Sequence, residues 1–216
     1  SDFGEINTIS FTENKDCFVI KKGETAVIDF GQNMTGYFEI DLNAEKGDAV
    51  SLSVAEVLDR DGNFQNDNFQ NRESPLCQQV VEYTCKEGKN KFHQTKCYYG
   101  FRYAFVTGVE EHQATPDLLT AVVMNTSLGD RGDFSCSDES LNKLQEMTRR
   151  STLGNFQHFP NDCPHREKNG WTADAALSAE QTLINFEPEE NYLMWEKCLV
   201  NAMNEAGALP GIVPTG

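Results

Sequence analysis

The hydrophobic period changes once along this chain, and that change sets what the chain can fold into. Up to about residue 125 apolar and polar residues alternate. Tyr37-Phe38-Glu39-Ile40-Asp41-Leu42 has period two from Phe38 onward, and Val50-Ser51-Leu52-Ser53-Val54 alternates throughout. This is the pattern of strands with one buried face. Residues 27–30, 80–85 and 103–107 add further apolar runs, and Lys22-Gly23, Lys46-Gly47-Asp48, Asp61-Gly62-Asn63 and Glu87-Gly88 separate them as turns. Short strands so punctuated predict an antiparallel β-sandwich over residues 1–125. Residues 59–75 are polar and rich in Asn, and predict a long loop.

Residues 126–216 read as a linker followed by helices. After about residue 134 the spacing lengthens: Leu141, Leu144 and Met147 share one helix face, with Ser137 or Asp138 placed to cap its start. Residues 161–170 are irregular. Residues 171–186 are rich in Ala and favour a helix. Pro188, followed by two glutamates, suits the beginning of another, in which Tyr192, Trp195, Leu199, Ala202 and Met203 follow at a 3–4 spacing. Residues 206–216 predict a loop. Three helices make a thin core for a finished domain, so the expectation is the start of a larger helical one.

Composition excludes several classes. The chain carries 18 Lys and Arg against 34 Asp and Glu, a net charge of −16, which repels nucleic acid and anionic lipid. No apolar run reaches the ~18 residues of a membrane helix, and no signal-peptide pattern opens the chain. The expected partners are therefore neither nucleic acid nor membrane. Seven cysteines, an odd number without a C-x-x-C pair, predict free thiols in a reducing compartment, cytoplasmic rather than exported. Neither a metal nor a cofactor is expected.

Chemistry concentrates in Asn161-Asp162-Cys163-Pro164-His165-Arg166-Glu167-Lys168-Asn169-Gly170-Trp171-Thr172-Ala173-Asp174. Asp162 and Glu167, five apart on irregular backbone, can face one site. Trp171 and Asp174, three apart, share a helix face. These are the residue types that hold sugars: carboxylates accept hydroxyl hydrogens, Arg donates a fork, and an indole packs on a pyranose face. Glycosidic cleavage needs a protonated and an ionised carboxyl together, and crowded carboxylates favour that split. Plainer readings stay open. Asp162 is also placed to cap a turn before Pro164, Glu167-Lys168 to be surface charge, and Cys163 with His165 to be a two-ligand metal pair or a nucleophile with its base.

The segment from Asp162 to Lys168, with Gly170-Trp171-Thr172 and Asp174, resembles the signature of bacterial α-L-rhamnosidases of glycoside hydrolase family 78. Upstream, Asp29-Phe30-Gly31-Gln32-Asn33 with Gly36, Ala55-Glu56-Val57-Leu58-Asp59, and Tyr99-Gly100-Phe101-Arg102-Tyr103 are similar to the domain that precedes their catalytic one. Phe134-Ser135-Cys136-Ser137 with Leu141-Asn142 follows in the same order. The resemblance implies a β-sandwich followed by an (α/α)6 barrel, hydrolysis of terminal α-L-rhamnosides with inversion, and rhamnose-containing glycosides as partners. It implies Glu167 as general acid, Asp162, Arg166 and Asp174 as sugar-holding residues, and Trp171 as a wall of the pocket. Asn169 departs from the family pattern, where an aliphatic residue is common, and is expected to be tolerated if it faces solvent. The chain supplies about three of twelve barrel helices and no glutamate assignable as the base. It is therefore expected to be an N-terminal fragment that associates with the rest of the catalytic domain or with itself. A non-catalytic carbohydrate-binding or interaction module is the alternative.

Overall fold

The computed structural model describes residues 7–9, 26–61, 64–65, 69, 79–113 and 116–214. They form two compact units, one spanning Ile6–Val123 and one holding Met124–Gly216.

The first unit contains β1 (Asn7–Ile9), β2 (Ala26–Ala44), β3 (Ala49–Ala55), β4 (Val57–Leu58), β5 (Phe64–Gln65), β6 (Val80–Thr84), β7 (Gly88–His93), β8 (Tyr99–Thr107) and β9 (Leu119–Val123). All pairings are antiparallel. The large sheet has the order β1-β9-β2-β8-β3-β6, with β7 also paired to β2. Its two layers are one curled sheet, and β2 is the strand around which it curls. β2 pairs with β8 as far as Gly36, then with β7 from Glu39, and carries β9 on its other edge. The runs at 27–30 and 37–42, separate in the sequence pattern, are thus one strand. What divides them is a bulge: Asp29 faces Tyr103 and Met34 faces Phe101, so five steps on β2 answer two on β8. Gly31 sits there at φ 72°, a conformation that costs glycine nothing, and the bulge bends the strand. The polar stretch 59–75 lies largely outside the described residues. Within it, β5 pairs with β4, and Phe69 is buried.

Phe30, Phe38 and Phe101 fill the centre of this unit and are all but inaccessible. Phe101 meets Phe30 edge-on at 5.6 Å and Phe38 at 6.3 Å. Phe101→Ala should lower the stability of the unit by about 3–5 kcal/mol, read as a lower midpoint in urea with an unchanged slope.

The upstream motif residues hold this sheet together. Arg102 forks onto Asp29, with Nε donating to Oδ1 and the guanidinium NH2 to Oδ2, both at 2.8 Å. Asp29 Oδ1 also accepts the Gly31 N–H at 2.7 Å, so the same carboxylate ties the bulge. Asn33 donates to Glu56 at 3.0 Å. The Arg102 hydrogen bonds, more than the opposing burial, hold the Asp29 carboxyl below its ordinary value near 3.8. A lowered folded pKa means stabilisation that is complete above the unfolded value and lost as pH falls through the folded one. Asp29→Asn should therefore cost about 1 kcal/mol at neutral pH, because the pair is a third exposed and screened. That difference should shrink as pH falls below the ordinary carboxylate value near 3.8 and through the lower folded one, which thermal melts of both proteins across pH 2–7 would read.

The second unit contains β10 (Gly129–Asp130), α1 (Glu139–Gly154), β11 (Phe156–Gln157), β12 (Phe159–Pro160), α2 (Thr172–Asn185), β13 (Phe186–Glu187) and α3 (Glu189–Ala202). Asp138 caps α1 by accepting from the Ser140 N–H. Asn142 reaches back from the first turn of α1, accepting from the Cys136 N–H and donating to its carbonyl, both at 2.9 Å. The core is small: Leu128, Phe156 and Phe186, with Leu153 and Tyr192 against them. The Leu141-Leu144-Met147 face is 47–61% exposed, and Leu177 is 88% exposed. The pattern is amphipathic, yet nothing among the described residues covers it. No helix among them is long and apolar enough to cross a membrane.

Candidate active site

The chemistry-bearing loop runs from β12 into α2. It is closed at its base by one backbone bond and one to a side chain: Asp162 N–H donates to the Asn169 carbonyl at 3.0 Å, and Asn169 N–H donates to Asp162 Oδ1 at 2.9 Å. Lys168, at φ 56°, turns the chain back to make this closure. Asn169 is half-buried, and its contribution to the loop is made by its backbone.

Cys163 lies inside the turn. Its thiol donates to Asp162 Oδ2 at 3.0 Å and accepts from the Glu167 N–H at 3.3 Å. Burial foremost, then the bond to the Asp162 carboxylate, pushes the thiol pKa up, so near neutrality it is an uncharged donor. A nucleophilic cysteine needs the opposite shift. Both oxygens of Asp162 are thus engaged within the loop, but a carboxylate has about four acceptor positions, so two remain for a ligand.

Glu167 stands on the far side of the turn. Its Oε2 accepts from the Trp171 indole N–H at 2.8 Å, and its Oε1 accepts from Arg166 at 3.0 Å. The Arg166–Glu167 side chains are 43% and 34% exposed, within reach of solvent and of a ligand. Asp162 and Asp174 instead line a groove of about 560 Å³ between α1 and α2, with Ser151, Asn161, Ser178 and Gln181 along it. The five candidate residues therefore fall into two sets: Arg166, Glu167 and Trp171 bonded to one another, and Asp162 with Asp174 at the groove. The sulfur of Cys163 bridges them, through the Asp162 carboxylate and the Glu167 N–H.

The chain beyond α3, read only as a loop, holds this region in place. Trp171 forms a β-bridge with Ile212. Val213 N–H donates to the Gly170 carbonyl at 2.8 Å, and Thr172 N–H to Gly211 at 2.9 Å. The buried Trp195 indole donates to the Val213 carbonyl at 2.6 Å. Gly-Ile-Val beside Pro is the only local signal of this pairing, and a three-residue partner lies below what periodicity can detect.

Two family models cover most of the chain. The bacterial alpha-L-rhamnosidase concanavalin-like domain matches residues 20–125, and the bacterial alpha-L-rhamnosidase 6 hairpin glycosidase domain matches residues 129–216. An alpha-L-rhamnosidase of Formosa agariphila is 30% identical over 167 residues, 77% of this chain and 17% of that protein. One from Alteromonas sp. is 31% identical over 195 residues, 88% of this chain and 20% of that protein. Among solved structures, the alpha-L-rhamnosidase from Dictyoglumus thermophilum matches with a TM-score of 0.83 and 30% identity, over 99% of this chain and 24% of that one. The Streptomyces avermitilis alpha-L-rhamnosidase complexed with L-rhamnose matches with a TM-score of 0.84 and 28% identity, over 99% and 20%. The chain spans about a fifth of the length of the curated relatives it matches. Two adjoining domain models, an agreeing fold and shared sequence along nearly the whole chain place it in the bacterial α-L-rhamnosidase family.

Proposed function

We propose that this chain carries the acid half of an inverting α-L-rhamnosidase, acting on terminal rhamnose of rhamnose-containing glycosides. The observation that carries the reading is Glu167: an accessible carboxyl held by two neighbours, Arg166 and Trp171, on a loop built to keep it there. Family membership and the rhamnose complex of the Streptomyces relative support the choice of sugar.

In this reading Asp162, Arg166 and Asp174 hold the rhamnose hydroxyls, and Trp171 offers its face to the ring. Glu167 gives its proton to the glycosidic oxygen as the C1–O bond breaks and its electron pair stays on that oxygen. Water adds to C1 from the opposite face and passes a proton to a base. Inversion requires that base about 6.5–9.5 Å from the acid. We assign it to a residue outside this chain. The test is hydrolysis of an alkyl α-L-rhamnoside, whose leaving group needs the proton, by this chain and by longer active protein carrying it, each beside its Glu167→Gln variant. Loss of turnover with retained rhamnose binding is the expected result; undiminished turnover by the variant removes the assignment.

A further inference from the structure

Resting on the reading of Glu167 as the acid, we propose that Trp171 is the residue that aims it, as a positioning residue through its indole N–H, distinct from any packing of its face on sugar. An indole nitrogen only donates. Its bond to Oε2 therefore commits that oxygen as an acceptor whether or not the carboxyl carries a proton. Oε1 is left as the oxygen that hands the proton over. Its present partner Arg166 is the adjacent residue, and the pair is open to solvent, so a leaving-group oxygen can replace it without disturbing Oε2.

A glutamate side chain held at one end has several rotamers, and ordering it costs free energy. The second contact removes that freedom only if Trp171 is itself fixed, and it is. The bridge to Ile212 and the Thr172 and Val213 backbone bonds pin its main chain. Gly211 lies under its ring, where a Cβ would stand 3.8 Å from Cζ3. Val213 is buried and tied to Trp195 of α3. A continuous set of bonds thus runs from α3 through Val213 and Gly170 to Trp171, and ends on Glu167 Oε2.

The test separates the donor from the face. In active protein carrying this chain, Trp171→Phe keeps an aromatic face and removes the N–H. 3-Benzothienylalanine at 171 keeps the bicyclic shape and replaces the N–H by sulfur, and serves where the Phe variant does not fold. The expected result is a fall in kcat of roughly 10–100-fold with Kd for L-rhamnose within about 3-fold of the parent. If kcat is unchanged in these variants while Glu167→Gln is inactive, the positioning role is overturned and the acid assignment stands. If Kd rises in step with the fall in kcat in the benzothienyl variant, Trp171 is a wall only and the proposal is again overturned. An active Glu167→Gln overturns both readings.

Discussion

If Glu167 is the acid as proposed, Glu167→Gln in active protein carrying this chain should lower kcat for hydrolysis of an unactivated α-L-rhamnoside by roughly 10²–10⁴-fold, the usual contribution of a positioned general acid. Glutamine keeps the size of the side chain and an oxygen that can accept the Trp171 N–H, so the loop of residues 162–169 should survive the change. What is lost is the transferable proton. The loss must depend on the leaving group. A nitrophenolate departs with little protonic help, so the variant should be far less impaired on a nitrophenyl rhamnoside than on an alkyl one. A residue that only binds sugar would impair both equally. L-Rhamnose affinity should change little, because no hydroxyl contact is assigned to Glu167. Steady-state kinetics on the two substrates, beside calorimetric titration with L-rhamnose, reads all three expectations.

Gly170→Ala should be the most disruptive small substitution near the site. A Cβ there would stand 1.9 Å from the Val213 carbonyl oxygen, 2.8 Å from its carbon and 3.3 Å from Phe159 Cδ2. The first two are backbone atoms and have no rotamer to turn away. The Gly211-Ile212-Val213 segment must move, which breaks the Val213–Gly170 bond and shifts the acceptor of the Trp195 indole. Overpacking together with stranded polar groups costs about 2–4 kcal/mol. Urea titration should show it, and exchange of the Thr172 and Val213 amide hydrogens should quicken. Because Trp171 is anchored through the same segment, kcat should fall too. Gly132→Ala is the control: nothing lies within 4 Å of a Cβ at 132, and the change should be near neutral in both measurements.

Much of the fold is legible where a pattern is long and local. The alternation at 37–42 and 50–54 names strands, and they are strands. The spacing after residue 134 names helices, and Asp138 caps the first as its side chain allows. Joining the 27–30 and 37–42 runs into one strand was not legible, because a bulge breaks period two without breaking pairing, and only the partner β8 reveals it. The exposed Leu141-Leu144-Met147 face is the reverse case: amphipathic spacing says that a face seeks cover, but cannot say what covers it.

The candidate site divides in the same way. By itself the sequence determined the residue types, their order, and the crowding of Asp162, Arg166, Glu167, Trp171 and Asp174 into one segment. It did not determine which of them meet. Asp162 and Glu167 looked like a pair, yet Asp162 turns inward to Asn169 and Cys163, while Glu167 turns to Trp171. The reason is physical: irregular backbone has no period, so each side chain's direction is set by whichever backbone group or partner satisfies it. Here one decisive partner, Gly211-Ile212-Val213, lies some 40 residues downstream of Trp171. Local chemistry chose the residues, and only tertiary pairing chose their directions.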